Sequence, residues 1–267
     1  MDIKLSVIIV EYYSLQEIRE CIEALKKHLN VSYEIIVSSN SNYSPEQRKQ
    51  ADNGEDCVRW IFNEHNGGFA YAMNKGLKVA HGRYLAIMNS DDIFNSDISS
   101  MTDFMDEHPE IGAIAPQMRD KEGRIQDTAR TYVSMPRYVW RQMKRIIGHK
   151  SSILDTKIDY SSIQTVDWVI GAFIMVSRQA YIATGGLDER YFMYAEDLDW
   201  CTRIRQQGFE VVYYPKVIIT YKGSRRARNN SKYARIFIDS HIKYWKKFGF
   251  FYGYPPRIKH IYYDQQD

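Results

Sequence analysis

Short apolar runs alternate with helical repeats through residues 1–116, and this alternation restricts the chain to few folds. The runs predicted to be buried strands are Leu5–Val10, Glu34–Ser38, Val58–Phe62, Tyr84–Met88 and Ile111–Ala115. The segments between them repeat apolar residues at the three- and four-residue spacing of helices. Strands that alternate with helices in this way predict a doubly wound, mainly parallel α/β sheet of the Rossmann-like kind.

Two of the predicted helices also carry start signals. Ser14 is followed three residues later by Glu17, which is the pattern of a capping box. Ser44 and Pro45 supply a cap and a first-turn proline for the next helix. The face that the first helix is predicted to bury consists of Ile18, Ile22, Leu25 and Leu29.

Polar clusters follow several of the predicted strands. They are Glu11-Tyr12, Ser38-Ser39-Asn40-Ser41 and Asn89-Ser90-Asp91-Asp92. A further acidic turn, Glu196–Asp199, starts a helical repeat that Gly208 ends. Acids in a first helical turn are stabilised by the helix macrodipole, so a simple acidic helix start is the alternative. Because ligands bind beyond the carboxyl ends of parallel strands, we predict one cleft that handles a metal, a phosphate or a proton.

The composition excludes several classes of protein. The 267 residues are 44% hydrophobic and 26% charged, as in a soluble globular protein. Cys21, Cys57 and Cys201 are scattered, which predicts neither a disulfide framework nor a zinc site and favours a cytoplasmic location. The first residues lack the basic start, long apolar region and cleavage site of a signal peptide, so none is expected. The longest apolar stretch, Trp168–Val176, falls short of the roughly 20 residues that a membrane span needs.

The net charge of +3 is unevenly distributed. The segment Lys216–Tyr263 carries twelve Lys or Arg and one acid, so its charge is +11 and that of the remainder is −8. This basic, aromatic tail predicts an anionic partner, and an anionic membrane surface is the leading candidate. The alternatives are a tail that docks on the rest of the chain or forms a homodimer contact. A nucleic-acid partner is not expected, because the acidic body has no recognised nucleic-acid module.

Three longer motifs carry a family resemblance. They are Asn66–Gly76, Asp167–Phe173, and Gly186–Phe192 leading into Glu196–Asp199. With these motifs in order, the chain resembles glycosyltransferase family 2, the inverting enzymes of the GT-A fold, and within it the bacterial rhamnosyltransferase-like branch. The resemblance runs from Ser6 to about Gly249.

The resemblance implies how the chain is organised. Residues 1–222 would form the GT-A domain, with a nucleotide-sugar-binding half, 1–116, and an acceptor-binding half, 117–222. Residues 223–267 would form a helical, basic and aromatic C-terminal extension. Within the acceptor-binding half, residues 117–165 are less periodic and are interpreted as an excursion over the sheet, with a lid as one alternative.

The resemblance also implies an activity and its residues. A sugar would move from a UDP- or dTDP-sugar to a saccharide or lipid-linked acceptor in surface polysaccharide synthesis, at the inner face of the membrane. A divalent cation, Mn²⁺ or Mg²⁺, would be held by Asp91, the last position of the acid-any-acid motif. The residues expected to bind the donor are Val10, Glu11, Ser39, Gly67, Gly68, Asn74, Asn89, Ser90 and Asp91.

Asp197 matches the position of the family's general base, which deprotonates the acceptor hydroxyl. Neighbouring acids should raise its proton affinity through like-charge repulsion. Glu196, Trp168 and Gly171 are expected to contact the acceptor. Asp199 is interpreted as a helix-stabilising acid.

Four positions depart from the family pattern. Ser39 replaces an acid that contacts the nucleobase, and Glu11 stands where Asn is usual. Asn89 takes the first position of the metal motif, and Tyr221 replaces a histidine that can bind the metal. We therefore predict that activity needs a divalent cation at a relatively high concentration. A catalytically silent member that binds a sugar nucleotide and supports a partner enzyme stays open as the alternative.

Overall fold

The computed structural model describes residues 2–52, 54–94, 96–132, 134–146, 154–155, 157–221, 231–251 and 261–263. The strands in these ranges are β1 (Leu5–Glu11), β2 (Tyr33–Ser39), β3 (Val58–Phe62), β4 (Tyr84–Asn89), β5 (Asp92–Phe94), β6 (Ile111–Arg119), β7 (Ala129–Arg130), β8 (Gln164–Thr165), β9 (Trp168–Val169), β10 (Phe173–Ser177) and β11 (Glu210–Tyr221). The helices are α1 (Leu15–Lys27), α2 (Pro45–Ala51), α3 (Phe69–Val79), α4 (Ser99–Glu107), α5 (Met135–Ile146), α6 (Arg178–Thr184), α7 (Glu196–Gln206) and α8 (Ser231–Phe248).

One mixed sheet organises the molecule, with strand order β3-β2-β1-β4-β10-β6-β11-β5 and β8 beside β11. Strands β1 to β4 are parallel, as predicted. The α/β prediction is confirmed, and its boundaries hold to within a few residues. Strand β10 runs antiparallel to both β4 and β6, which the prediction of a mainly parallel sheet did not anticipate. Strand β10 enters the sheet from β9, which belongs to a separate two-stranded sheet, and not by way of a helix that returns it parallel to β4.

Helix starts were predicted with mixed success. The box at α2 is present, since Ser44 accepts from the Gln47 amide and the Gln47 side chain accepts from Ser44. The predicted box at α1 is wrong, because the Ser14 side chain makes no capping hydrogen bond. The Ser14 amide instead donates to Glu11 Oε1 at 2.7 Å. The predicted inner face of α1 is buried: Ile18, Ile22, Leu25 and Leu29.

The less periodic segment after β6 contributes β7, α5 and β8. Strand β7 pairs with β9 in a separate two-stranded sheet. This small sheet lies next to the acidic helix α7, because the Cys201 thiol on α7 contacts the Val169 carbonyl of β9 at 3.9 Å. The segment therefore builds one wall of the region around α7.

The C-terminal helix α8 packs on α7 and on the loop before it. Tyr244 bonds Thr202 of α7 at 3.0 Å, and Ser240 donates to the Met193 carbonyl at 2.8 Å. Residues 261–263 then return to β8, where Tyr262 bridges Gln164. These contacts cross the boundary predicted at 222/223. The Arg-rich start of the predicted tail, 224–228, and most of its aromatic cluster, 250–256, lie outside the described residues. No helix within the described ranges is both long and apolar enough to cross a membrane.

Candidate functional site

The carboxyl ends of β1, β2 and β4 bring the predicted donor residues to one edge. In the register of the sheet, Glu11 lies opposite Ser39 and Val10 opposite Asn89. Ser90 and Asp91 form the turn that follows β4, and both are partly exposed. The predicted convergence of these strand ends is therefore present.

At this edge Glu11 is completely buried and bonded on both oxygens. Oε2 accepts from Ser39 Oγ at 2.5 Å and from Ser41 Oγ at 2.9 Å. Oε1 accepts from the Tyr43 hydroxyl at 2.9 Å and from the Ser14 amide. Glu11 and Ser39 are both 0% exposed, so they face each other rather than the cleft. Their predicted contact with the donor stays a prediction, and the structure gives them a supporting role beneath the strand ends.

Two exposed aromatic rings lie next to this network: Tyr12, which the sequence placed in a polar cluster after the first strand, and Tyr13, which was missed. Tyr12 and Tyr13 are 51% and 60% exposed, and their ring centroids lie 4.9 Å apart. Tyr13 has a φ of 50°, and its amide donates to Ser41 Oγ at 2.6 Å. An exposed ring on a rare left-handed backbone is typical of a binding position. The aromatic pair directly after β1 was the available signal.

The glycine turn before α3 serves the fold in a way that the sequence did not indicate. The amides of Gly67, Gly68 and Phe69 donate to the His65 carbonyl, the Asn66 side chain and the Phe192 carbonyl. These three amides are therefore not offered to an anion. A Cβ on Gly68 would lie 2.1 Å from the Phe192 oxygen, and the φ of Gly68 is +94°. Glycine here allows the loop before α7 to contact the start of α3, and a donor contact of Gly67 or Gly68 stays a prediction.

Asn74 is also bonded to that loop. Its Nδ2 donates to the Leu187 carbonyl at 2.8 Å and to Glu189 Oε1 at 2.9 Å, and its Oδ1 accepts from the Leu187 amide at 3.0 Å. The side chain is 7% exposed. Its amide points at the loop and not at a free cleft, so these hydrogen bonds do not support the expected donor contact, which stays a prediction.

Asp197 lies in the first turn of α7 and is held by two amides. Its Oδ2 accepts from the Gly171 amide at 2.7 Å, and its Oδ1 accepts from the Leu198 amide at 2.8 Å. Gly171 approaches closely, since a Cβ there would lie 3.2 Å from Asp197 Cβ. The structure thus joins two residues predicted for the same site, and it uses Gly171 to orient the acid.

The local environment shifts both acids of this turn towards the protonated form. Burial raises the pKa of Asp197, and the two amide hydrogen bonds and the Arg130 charge oppose that rise. Burial and the charge of Asp197 raise the pKa of Glu196 well above its usual range. Glu196 is 6% exposed, and its Oε2 has no hydrogen-bond partner among the described residues. Asp197 is partly exposed, so of the two it is better placed to meet a substrate hydroxyl.

The backbone immediately before these acids is left-handed at two successive residues. Tyr194 has a φ of 70° and Ala195 a φ of 63°. Such conformations are rare for residues other than glycine and concentrate at functional sites. Ala195 is also the N-cap of α7 and provides no side-chain cap. The turn therefore presents Glu196 and Asp197 at a backbone cost that the surrounding packing must offset.

The predicted metal position, Asp91, has a second carboxylate beside it. Asp92 is 1% exposed and lies opposite Tyr221 where β5 pairs with the end of β11. Neither carboxylate oxygen of Asp92 has a hydrogen-bond partner among the described residues. Burial, then the Asp91 charge, raises the pKa of Asp92 well above its usual range. Burial and the charges of Asp92 and Asp91 likewise raise the pKa of Tyr221.

A buried carboxylate without partners fits a nearby cation, because an unpaired buried charge is costly. Within the described residues no group of three His, Cys, Asp or Glu side chains could hold a metal alone. Two carboxylates suit Mg²⁺ or Mn²⁺ when the substrate's phosphate oxygens supply further ligands. The residues present therefore fit a cation that binds together with a diphosphate.

Arg130 provides a positive charge that the sequence reasoning missed. It lies opposite Trp168 in the β7–β9 pair, with its Cζ 4.9 Å from the Trp168 ring centroid. Its Nε lies 2.9 Å from Asp127 Oδ2, and its side chain is 37% exposed. Trp168 itself is 8% exposed, so its predicted acceptor contact stays a prediction. No periodicity surrounds Arg130 in the sequence, and only the fold places its charge near Asp197 and Tyr221.

Residues 6–183, about two thirds of the chain, match the model of the family described as glycosyl transferase family 2. The chain belongs to this family. The match ends before α7, so Asp197 itself lies outside it, whereas Gly171 and Arg130 lie within it.

Curated relatives point to the branch that the motifs indicated. The N-acetylglucosaminyl-diphospho-decaprenol L-rhamnosyltransferase of Mycobacterium tuberculosis is 28% identical over 56% of this chain and 52% of its own length. Rhamnosyltransferase WbbL of Escherichia coli is 26% identical over 57% of each. The chain thus spans about half the length of these relatives.

Solved structures confirm the fold. GalNAc-T7, crystallised with UDP, GalNAc and Mn²⁺, has a TM-score of 0.61 at 16% identity, over 82% of this chain and 43% of that one. TarS of S. aureus has a TM-score of 0.59 at 17% identity, over 91% of this chain and 40% of that one. The GT-A fold expected from the resemblance is therefore the fold of this chain.

Proposed function

We propose that the chain is an inverting glycosyltransferase that moves a sugar from a nucleotide-diphosphate sugar to a saccharide or lipid-linked acceptor in bacterial surface polysaccharide synthesis. The observation that carries the proposal is the Asp197 carboxylate, held at 2.7 Å by the Gly171 amide and presented by two left-handed residues. A relative named for a diphospho-decaprenol-linked sugar supports a lipid-linked acceptor. UDP- and dTDP-sugars are the proposed donors.

In the proposed reaction, Asp197 removes the proton of the acceptor hydroxyl. The resulting oxygen attacks the anomeric carbon, and the nucleoside diphosphate leaves from the opposite face. The raised pKa of Asp197 suits this task, because a base must hold the proton that it takes. The two amide hydrogen bonds fix the direction of the carboxylate, and because they oppose the rise in its pKa they keep it from becoming too weak an acid to ionise.

For the donor, we propose that Asp91 and Asp92 hold a divalent cation, Mn²⁺ or Mg²⁺, against the diphosphate. Bound there, the cation offsets the charge of the leaving nucleoside diphosphate. Arg130 contributes a second positive charge on the acceptor side of the cleft. Asn89 and Tyr221 carry no charge where family members have an acid and a histidine. We propose that the Asp92 carboxylate takes the place of that acid and that the Arg130 guanidinium supplies the positive charge near Tyr221. Tyr12 and Tyr13, which follow the carboxyl end of β1, are proposed to contact the nucleobase.

For the cellular location, we propose a cytoplasmic protein that works at the inner face of the cell membrane and binds it reversibly. The basic charge of +11 in the segment Lys216–Tyr263 supports this. Attachment to the surface would raise the rate of encounter with a lipid-linked acceptor.

One observation favours the alternative of a catalytically silent sugar-nucleotide-binding member. Glu11 and Ser39, at two positions expected to contact the nucleotide, are completely buried and bonded to each other. A silent member would bind a nucleotide sugar and support a partner transferase without transferring the sugar itself.

The test is nucleoside diphosphate release from a panel of UDP- and dTDP-sugars with a short-chain N-acetylglucosaminyl diphospholipid. Asp197→Asn should lower the turnover by about 10²-fold or more while donor affinity, measured by calorimetry, stays unchanged. Asp103→Asn is the matched control, because Asp103 is an exposed acid on α4. Donor binding without transfer in the wild type would support the silent alternative. An equal loss of donor affinity and rate in Asp197→Asn would remove Asp197 from the role of base.

A further inference from the structure

Exposed apolar side chains are concentrated on two helices that contact each other. Seven of the eleven large hydrophobic residues exposed in the described ranges lie on α5 or on α8 and the turn after it. They are Val139, Trp140, Met143, Ile238, Ile242, Phe250 and Phe251. An exposed apolar patch of this kind marks a surface that contacts another protein or a membrane.

The contact between the two helices is built from aromatic rings, of which Trp245 is buried and Tyr138 and His241 are partly buried. Tyr138 of α5 lies 5.7 Å from His241 and 5.4 Å from Trp245 of α8, measured between ring centroids. Burial lowers the pKa of His241 to about 4, so this ring is neutral at physiological pH. The amide of Met135 also donates to the Phe250 carbonyl at 3.0 Å, which joins the start of α5 to the end of α8. Helices α5 and α8 therefore form one unit.

On each helix the exposed apolar residues lie beside the residues that make this contact. Val139 and Trp140 follow Tyr138 directly, and Met143 lies one turn further on. On α8, Ile238 and Ile242 each follow a residue of the aromatic contact, Phe237 and His241. Because neighbouring helical positions are about 100° apart, Val139, Ile238 and Ile242 lie beside the contact between the helices. Trp140, two positions after Tyr138, faces away from it.

The charge of the two helices identifies the partner. The α5 segment contains four Lys or Arg and no acid, and the α8 segment contains five Lys or Arg and one acid. An apolar stripe on a helix rich in Lys and Arg is the composition of helices that lie in the plane of a membrane interface. A basic surface attracts the anionic head groups of a bilayer.

We infer that α5 and α8 together form a docking surface for an anionic phospholipid bilayer, with the seven exposed apolar side chains inserted among the lipid head groups. The inference rests on the proposed membrane location and deepens it. The expected tail supplies only half of the surface, and the other half comes from the segment between β7 and β8. Phe237 of α8 lies 5.4 Å from Tyr194, measured between ring centroids, so the surface adjoins the turn that presents Asp197.

The test is co-sedimentation of the full chain with vesicles of phosphatidylcholine alone and of phosphatidylcholine mixed with phosphatidylglycerol. Neither donor nor acceptor is present, so failure here is distinguishable from failure of the transferase proposal. The wild type should bind the anionic vesicles, and binding should weaken as salt is raised. Trp140→Ser/Met143→Ser and Ile238→Ser/Ile242→Ser should each weaken binding about tenfold or more. The control is Ile182→Ser, which removes a 72% exposed apolar residue from α6 and should change nothing.

A second measurement covers the case in which a variant folds poorly. Trp140 is 57% exposed and is one of five Trp residues, so brominated anionic lipids should quench the total Trp fluorescence of the wild type more than that of Trp140→Phe. Equal binding to neutral vesicles, binding that survives both double substitutions, or no binding at all would overturn the inference. So would concentration-dependent dimerisation that the same substitutions abolish, because the surface would then join two copies of the chain.

Discussion

Lys247 of α8 places its Nζ 2.5 Å from Asp199 Oδ2 of α7 and 2.8 Å from Asp188 Oδ2 in the preceding loop. Asp199 is 0% exposed, and its other oxygen accepts from Arg203 Nε at 2.6 Å. Arg203 in turn donates to the Thr184 and Gly186 carbonyls. Asp199 is thus more than an acid at a helix start, because it joins α8, α7 and the loop that presents Asp197.

Lys247→Met should destabilise the chain by about 3 kcal/mol or more. The substitution removes one of the two cations that pair with the buried Asp199 carboxylate and leaves only Arg203. Thermal unfolding at neutral pH measures the loss. The control is Lys246→Met, the exposed neighbour on the same helix, which should have little effect. Equal melting temperatures for the two variants would show that the pair contributes nothing.

The stabilisation should also depend on pH. Arg190 and then Lys247 hold the pKa of Asp188 well below its usual range. A lowered folded-state pKa contributes stability above the unfolded value, about 3.9, and that contribution is lost as the pH falls. Between about pH 4 and about pH 2 the wild type should therefore lose more stability than Asp188→Asn, which lacks this carboxyl group. Equal losses in the two proteins would contradict this account.

Gly68→Ala should be far more damaging than an ordinary glycine substitution. Its Cβ would lie 2.1 Å from the Phe192 carbonyl oxygen, and its φ is +94°. The control is Gly123→Ala, since Gly123 has a φ of +78° and nothing within 4 Å of its Cβ position. That control isolates the backbone cost, about 1 kcal/mol, and a larger loss of unfolding free energy in Gly68→Ala measures the clash. Equal losses would mean that the loop before α7 moves aside freely.

Arg130→Gln should shift the pH dependence of transfer. Because the Arg130 charge lowers the pKa of Asp197, its removal should raise that pKa further. The base must be ionised, so the acid limb of kcat/KM should move to higher pH. Arg130→Lys keeps the charge and should restore most of the wild-type profile. An unchanged limb in Arg130→Gln would show that the charge does not act on Asp197.

Asp91→Asn and Asp92→Asn should separate two roles in the proposed cation site. Both should reduce the rise in melting temperature that Mn²⁺ causes in the presence of UDP or dTDP. Without metal, Asp92→Asn should raise the melting temperature, because the buried Asp92 carboxylate has no hydrogen-bond partner among the described residues. Asp91 is partly exposed, and its substitution should have little effect without metal. A full Mn²⁺ response in Asp92→Asn would leave Asp91 as the sole carboxylate of the site.

The strands and helices of the first half could be predicted because each buries an apolar face that its own residues reveal. Ser44 and Pro45 marked α2 correctly for the same local reason. The direction of strand β10 could not be predicted, since it depends on the pairing with β4 and β6 across the sheet and not on its own residues. Sequence periodicity predicts elements better than it predicts the paths between them.

The candidate site divides in the same way. Asp91 and Asp197 could be proposed from motifs, because a cation site and a general base each need a carboxylate, and the structure places one after a strand and the other at a helix start. The orientations of Asn74 and Glu11 could not, since they depend on partners as distant as Leu187 and Tyr43. Arg130 was missed because only the pairing of β7 with β9 brings it to the cleft.

The return of residues 261–263 to β8 affects how the tail should be shortened in experiments. Thr165 donates to the Ile261 carbonyl at 3.0 Å, and Tyr263 donates to the Ile163 carbonyl at 3.0 Å. These bonds protect a sheet edge that would otherwise expose unpaired amides and carbonyls and invite aggregation. A truncation after Phe248 would thus remove basic residues and would also leave the edge of β8 unpaired and prone to aggregation. Insolubility of such a fragment would report the lost edge protection and would say nothing about lipid binding.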